Sequence, residues 1–184
     1  MEEKEIVSEL KQGNIQVFNY VVDLYSAMVY SVCFNLVGNK EEAEDITQEV
    51  FISIWLSIDF FKGESQLKTW IYRIAMNKSN ELIRRKNRKK RSGKMIPIED
   101  ESLPLTSTEQ TPLEELEYKE LELAFKKNLM KLPENQQIAF MLNRFEGLNY
   151  KEIATEMKTS HSAVESLLFR AKKKLIELMK KHSY

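Results

Sequence analysis

Basic side chains are concentrated in one stretch of the chain. Residues 84–91 hold seven of them within eight positions, and this run ends a predicted helix that contains Trp70. Arginine and lysine bind phosphate oxygens, and a nearby loop or aromatic ring can take up an unstacked base. The pattern favours a nucleic-acid contact, with a solvated helix end, where the helix dipole favours cations, as the alternative. The seven are Arg84, Arg85, Lys86, Arg88, Lys89, Lys90 and Arg91.

Residues 150–170, YKEIATEMKTSHSAVESLLFR, have the spacing of a helix-turn-helix. Ala154 supplies the small residue needed where two helices cross, and Ser160 can cap the second helix, whose first turns would enter a DNA major groove. The alternative is an ordinary helical hairpin in a bundle. Apolar residues spaced to join the two helices are Ile153, Met157, Val164 and Leu167. The exposed positions would be His161, Ser162, Glu165, Ser166 and Phe169, followed by the basic residues Arg170, Lys172, Lys173 and Lys174.

A third pattern lies at 45–55, on a predicted helix whose core stripe is Ala43, Ile46, Val50 and Ile54. Asp45, Gln48, Glu49 and Ile52 fall on another side of that helix. A mixed polar and apolar side of this kind is more often plain surface than a binding face, so the spacing alone leaves both interpretations open.

Residues that could perform catalysis or bind a metal are sparse. The chain has one cysteine, Cys33, and two histidines, His161 and His182, with no ligand-like cluster. We therefore expect no metal site, no cofactor and no enzymatic activity, and we interpret Cys33 as a buried small hydrophobe.

The net charge is zero, but the charges are segregated. The net charge is −5 over residues 1–80, +7 over 81–94, −8 over 95–123 and +6 over 124–184. Two basic blocks on either side of an acidic connector predict nucleic-acid contact at two places. We expect no membrane span, because by its sequence pattern no apolar segment reaches the roughly 18 residues that a span requires. The acidic N-terminus lacks the apolar core of a signal peptide, which predicts a cytoplasmic protein.

The elements that must position these residues are helices, since glycine and proline number only five and four. The apolar spacing predicts an all-α fold of two small helical domains, residues 1–92 and 113–184, joined by a flexible linker at 93–112. In the first domain we expect helices over 14–37, from Asn39 to about Ile58, and from about Leu67 into the basic run. The third helix should bury Trp70, Ile71, Ile74, Ala75 and Leu82. The second domain should have four helices, over 113–131, from Pro133 to Gly147, over 150–157 and over 161–181.

These motifs resemble bacterial sigma factors. EEAEDITQEVFISIW (41–55), LKTWIYRIAMNK (67–78) and the basic helix end are similar to the second conserved region of that family. The run at 132–175, from LPENQQ to AKKKL, is similar to the fourth. Nothing resembles the third region, and this plan is that of the extracytoplasmic-function (ECF) subfamily.

The resemblance implies three sets of contact residues. The set that docks on the clamp helices of RNA polymerase is Asp45, Gln48, Glu49, Phe51 and Trp55. The set that binds the minus-ten element, with a loop at 60–67 that captures a flipped base, is Phe61, Lys62, Trp70, Arg73, Asn77, Arg84, Arg85 and Arg88. The set that binds the minus-thirty-five element is Ser160, His161, Ser162, Glu165, Ser166, Phe169, Arg170 and Lys173. The implied partners are core RNA polymerase, promoter DNA and an anti-sigma factor.

Some residues depart from the family pattern. Glu81 stands where Asp is frequent, and Glu165, Ser166 and Leu167 stand where Lys-Ser-Arg is frequent, so the upstream sequence preference does not carry over. Trp70 also fits a core position, because a large aromatic on a helix is usually buried. Two rival functions remain at this point: a free-standing helix-turn-helix regulator, and an anti-sigma or adaptor protein that binds no DNA.

Overall fold

The computed structural model describes residues 1–91 and 112–181, without the side chains at 89–91, 112–117 and 119. All regular elements in these ranges are helices, as predicted, and the chain divides into two compact units, Met1–Ser102 and Leu103–Tyr184. Most of the linker predicted at 93–112 lies outside the described residues.

The N-terminal unit has four α-helices and a short 3₁₀ turn. In order they are α1 (Glu3–Lys11), α2 (Ile15–Val37), α3 (Lys40–Ser57), the 3₁₀ turn Ile58–Phe60 and α4 (Leu67–Arg91). The C-terminal unit has α5 (Pro112–Leu129), α6 (Glu134–Arg144), α7 (Tyr150–Glu156) and α8 (His161–Lys180). The predicted helices are all present, whereas α1 and the 3₁₀ turn were not predicted.

Local side-chain chemistry sets the helix boundaries of the N-terminal unit. The Asn14 side chain accepts hydrogen bonds from the first turn of α2, and the Asn39 side chain accepts one from the Glu42 N–H at 2.9 Å. Asparagine is among the best residues for this capping role. Gly38 ends α2 with φ 76°, a left-handed conformation that suits glycine.

The core of the N-terminal unit forms where α2, α3 and α4 pack together. The stripe predicted for α3 is confirmed, because Ala43, Ile46, Val50 and Ile54 are all buried. The stripe predicted for α4 is partly wrong, since only Ile71 and Ala75 of that set are buried. Helix α4 packs against two neighbours, so its buried arc is wider and centred elsewhere, and it takes in Leu67, Thr69, Tyr72, Met76, Ser79 and Asn80.

Helix α2 corrects one expectation from the sequence. By length and mean hydropathy it is apolar enough to cross a membrane. In the fold it is a core helix, because it packs on both α3 and α4 and buries Val21, Val29 and Val32 between them. Its other side leaves Tyr20 and Leu24 exposed.

Cys33 is fully buried at the meeting point of the three helices, as predicted. Burial raises the pKa of its thiol, and hydrogen bonds with Ser79 and Thr47 offset part of that increase. A thiol whose pKa is raised by folding stays protonated in the native state while the unfolded thiol ionises. Its contribution to stability is complete below the ordinary thiol pKa and is lost as the pH rises toward the folded value.

We expect this effect in a comparison of the parent protein with Cys33→Ala. The difference between their free energies of unfolding should be constant below about pH 8.5 and should then change by up to about 1.4 kcal/mol per pH unit, to the disadvantage of the parent. Urea unfolding followed by tryptophan fluorescence measures this in the N-terminal unit, because both tryptophans, Trp55 and Trp70, lie there. A difference that stays flat from pH 7 to pH 10 would contradict the expectation.

Candidate polymerase and nucleic-acid interfaces

One side of α3 is exposed along its length and changes character from acidic to apolar. Asp45, Gln48 and Glu49 are exposed, and Ile52 and Leu56 continue the same side with 58% and 72% of their surface accessible. The opposite stripe of the helix fills the core, so the outer side chains are not needed to bury apolar surface within the unit. Carboxylates beside exposed aliphatic side chains form a surface suited to a protein partner.

Of the two aromatic residues predicted for this surface, one lies in the core and the other only at the edge of the surface. Phe51 is only 7% exposed, so its assignment to the exposed docking face is corrected: the residue follows Val50 directly and falls within the buried arc of α3. Trp55 is half-buried and meets the Phe18 ring edge-on, with centroids 4.9 Å apart. The four-residue spacing from Gln48 to Ile52 to Leu56 was the sequence signal for the side chains that are exposed instead.

The loop after the 3₁₀ turn is fastened to α1 at both ends. The Lys11 ammonium donates to the Phe61 carbonyl at 3.2 Å, and a Glu3 carboxylate oxygen accepts the Leu67 N–H at 2.8 Å. The second bond satisfies an N–H in the first turn of α4, which has no partner inside its own helix. Helix α1 therefore sets the path of residues 61–66.

Two neighbouring phenylalanines have opposite environments in this region. Phe61 is 7% exposed and packs on Trp70, with ring centroids 5.3 Å apart, whereas Phe60 is 78% exposed. The assignment of Phe61 as an accessible base-binding residue is therefore corrected: its ring anchors the loop. Phe60, Lys62 and Glu64 are the exposed residues of this loop, and Trp70 is half-buried against the Phe61 ring.

Helix α4 presents a polar side away from the core. Asn77, Arg84 and Arg88 are exposed, and Arg73 is half-buried. These four lie at spacings of four, seven and four residues, so they share one side of the helix. Arg85 is also exposed on the flank of that side, and Glu81 interrupts the row. The exposed side is therefore a basic strip with one carboxylate near its middle.

The C-terminal unit contains the helix-turn-helix formed by α7 and α8. Asn149 and Glu152 form a capping box at the start of α7, with bonds of 2.7 and 3.1 Å between each side chain and the other's N–H. Ser160 caps α8 as predicted, since its hydroxyl oxygen accepts the Ala163 N–H at 3.1 Å. Lys158 takes a left-handed conformation, φ 48°, in the turn between the helices.

The apolar contacts of the helix-turn-helix follow the prediction with one exception. Ile153, Met157 and Val164 are buried, but Leu167 is only half-buried, and Leu168 takes the predicted core position. Alpha-helical periodicity places position 168 nearer than 167 to the stripe that starts at 164.

The exposed side of α8 has an unusual charge order. His161, Ser162, Glu165 and Phe169 are exposed over its first turns, with Ser166 half-buried. Helix α8 has no lysine or arginine before Arg170. From that residue on, its basic side chains are all exposed through Lys174: Arg170, Lys172, Lys173 and Lys174. The first turns therefore carry one negative charge, and the phosphate-binding cations follow them. Among the described residues, no group of three or more His, Cys, Asp or Glu side chains could hold a metal ion.

Two family models match the two units separately. The model described as Sigma-70 region 2 matches residues 21–89, and the model described as Sigma-70, region 4 matches residues 123–175. Together they include the exposed side of α3, the basic strip of α4 and the helix-turn-helix.

Similar proteins extend over nearly the whole chain. RNA polymerase sigma-H factor of Pseudomonas aeruginosa is 30% identical over 180 residues, 93% of this chain and 90% of the relative. ECF RNA polymerase sigma-E factor of Haemophilus influenzae is 31% identical over 170 residues, 91% of this chain and 89% of the relative.

Solved structures share the fold. The sigma factor RpoE in complex with the anti-sigma factor NepR from Bartonella quintana matches with a TM-score of 0.51 and 24% identity, over 89% of this chain and 96% of that one. CnrH in complex with the cytosolic domain of CnrY matches with a TM-score of 0.54 and 20% identity, over 97% of each chain.

The contrast between the two phenylalanines is testable with a matched pair of variants. Phe61→Ala should lower the free energy of unfolding of the N-terminal unit by about 3–5 kcal/mol, because it removes a buried ring. Phe60→Ala should change it by no more than about 0.5 kcal/mol, because the ring is mostly in solvent. Urea unfolding followed by tryptophan fluorescence compares the free energies of unfolding of the two variants. A loss for Phe61→Ala no larger than the loss for Phe60→Ala would contradict the anchoring role of the Phe61 ring.

Proposed function

This chain belongs to the extracytoplasmic-function subfamily of the sigma factors, and we propose which of its surfaces make the contacts that this function requires. The protein binds core RNA polymerase and directs promoter recognition and strand opening in transcription initiation. Sigma factors are initiation factors and not enzymes, and we assign no bond-making step to this chain. We place its action in the cytoplasm, where bacterial polymerase and promoter DNA are found.

The exposed side of α3 is the proposed polymerase contact. It combines carboxylates at Asp45 and Glu49 with the apolar side chains of Ile52 and Leu56, and this combination is the observation that carries the proposal. Apolar area at the centre of an interface supplies affinity, and the charges around it supply orientation and specificity. Trp55, half-buried against Phe18, adds aromatic surface at the edge.

The basic strip of α4 and the loop before it are the proposed minus-ten contact. Arg84, Arg85 and Arg88 are exposed and suited to phosphates. The exposed Phe60 ring lies at the start of the loop and can stack on a base that has left the duplex. Extruding a base costs a few kcal/mol, so a ring that binds the extruded base favours strand opening.

The helix-turn-helix of α7 and α8 is the proposed minus-thirty-five contact. With no cation in the first turns of α8, the bidentate arginine contact to guanine has no donor there. Glu165 can accept a hydrogen bond from the amino group of cytosine, and the Phe169 ring can contact a thymine methyl group. Arg170 and Lys173 then supply phosphate contacts.

We also propose an anti-sigma factor as a regulatory partner, since the structural neighbour RpoE was solved in complex with the anti-sigma factor NepR. The proposed division of labour assigns polymerase and minus-ten binding to residues 1–92 and minus-thirty-five binding to 113–184, with 93–112 as the connection. The free-standing regulator is not favoured, because the match to Sigma-70 region 2 covers α3 and α4.

The double variant Asp45→Ala, Glu49→Ala tests the polymerase contact. Its stability should stay within about 0.5 kcal/mol of the parent, because both side chains are exposed and the Glu49–Lys78 ion pair of 3.7 Å is a surface pair. Loss of both carboxylates leaves their charged partners on the polymerase desolvated and unpaired, which should cost roughly 2 kcal/mol or more, about a thirtyfold weaker Kd for core enzyme. Titration of labelled protein against core RNA polymerase measures this.

The control is Glu5→Ala with Glu120→Ala, which removes two exposed carboxylates that belong to other helices, α1 and α5. It should bind core enzyme like the parent. A folded double variant at 45 and 49 that also binds like the parent would rule out this face as the docking surface.

The triple variant Arg84→Gln, Arg85→Gln, Arg88→Gln tests the minus-ten contact. Its complex with core polymerase should bind promoter DNA more weakly, and the slope of log K against log salt should become shallower by up to about 0.9 per lost phosphate contact. Core binding should persist. Lys4→Gln, Lys40→Gln, Lys127→Gln is the charge-matched control, and an unchanged slope in the Arg variant would mean that the strip does not touch DNA.

A further inference from the structure

The basic run at the end of α4 is not uniform. Lys86 lies on the inner side of the helix, and its ammonium group contacts both carboxylate oxygens of Glu42, at 2.6 and 2.7 Å. Both side chains are largely shielded from solvent, at 31% and 28% exposure. Arg84, Arg85 and Arg88, by contrast, are exposed.

This ion pair is placed where α4 leaves the core. Among the side chains of α4 that the structure describes, Asn80 is the last buried one, and every side chain from Glu81 to Arg88 is exposed or half-buried. Arg84 and Arg88 stand four residues apart, a spacing at which like charges destabilise a helix. The end of α4 therefore carries repulsion while its apolar side chains, Leu82 and Ile83, are only half-buried, and the contact with Glu42 ties it to α3.

Glu42 is itself well fixed. It lies in the first turn of α3, and its N–H donates to the capping side chain of Asn39 at 2.9 Å. A carboxylate at this end of a helix is favoured by the helix dipole. The anchor thus lies in the capped first turn of α3, three residues before Asp45.

We propose that Glu42 is a positioning residue for promoter binding. Its ion pair with Lys86 holds the last turns of α4 helical and in a fixed direction, so that Arg84, Arg85 and Arg88 meet the DNA already ordered. Lys86 then acts through Glu42 and makes no phosphate contact of its own. This inference rests on the proposed minus-ten contact. It means that Glu42, a residue of α3, helps to position the DNA-binding side chains of α4.

A charge swap separates positioning from direct contact. The variants are Glu42→Lys, Lys86→Glu and the double variant with both changes, each assembled with core polymerase and titrated with promoter DNA. We expect each single variant to bind promoter DNA about three- to fivefold more weakly, the range of a well-placed partly shielded pair. The double variant should recover most of the loss, because it restores the pair with its charges exchanged. If Lys86 binds phosphate, a glutamate at that position is repelled and the double variant stays as weak as Lys86→Glu, which would overturn the proposal.

A second measurement is independent of DNA. Hydrogen exchange of the amides at 84–88 in the free full-length protein should be faster in each single variant than in the parent and should slow again in the double variant. Exchange that is the same in all four proteins would overturn the proposal, since α4 would then hold its end without the pair. Core-polymerase affinity is measured alongside, and equal values in all four assign any promoter defect to α4. If the parent holoenzyme fails to bind the promoter, the proposed function fails, and the exchange experiment still decides the role of Glu42.

Discussion

Helices α2, α3 and α4 share a core that includes a group of small side chains as well as large ones. Cys33, Ala43, Ala75 and Ser79 are fully buried there, and the cysteine thiol shares hydrogen bonds with Ser79 and Thr47. Small side chains allow the helix axes to approach closely. Because protein interiors are close-packed, one helix can rotate little against another. This contact fixes which side of α3 and which side of α4 face outward. The acidic-apolar side of α3 and the basic strip of α4 are therefore consequences of one packing arrangement.

Helix α1 holds the loop before α4, which the packing of the three helices does not fix. Helix α1 buries Ile6 and Leu10 and uses Lys11 and Glu3 to hold the two ends of the loop before α4. With its ends and the Phe61 ring held, the loop carries Lys62 outward from a fixed base. A ring or cation that is already ordered in the free protein loses less conformational entropy on binding than a mobile one. The same contact therefore gives more affinity.

The sequence predicted helices well where capping residues marked them, and side-chain environments less well. Asn39 and Ser160 begin helices as expected because their side chains bond to the following N–H groups. Leu167 was misplaced because helical periodicity carries the stripe from Val164 to Leu168, and Phe51 was misplaced for another reason. A single-stripe pattern describes a helix with one neighbour, whereas α3 and α4 each contact two other helices, which widens the buried arc by about one residue on either side. Helix α1 and its bond to Phe61 could not be placed from sequence, because they depend on contacts across fifty positions or more.

The segregation of charge bears on how a chain of zero net charge can act on DNA. The acidic residues of α3 offset the basic strip of α4, and Glu42 and Glu49 pair with lysines of α4 directly. The recognition helix α8 begins without a cation, so its electrostatic attraction to any DNA comes only from residues beyond 169. Non-specific affinity depends mainly on the number of phosphates neutralised, and on this chain the basic residues are divided between the two units. Two weak contacts joined on one chain gain affinity when both can engage at once, since the second becomes intramolecular. On the proposed function, core polymerase is what holds the two units where both promoter elements can be reached, and the protein would then bind promoters firmly only as part of the holoenzyme.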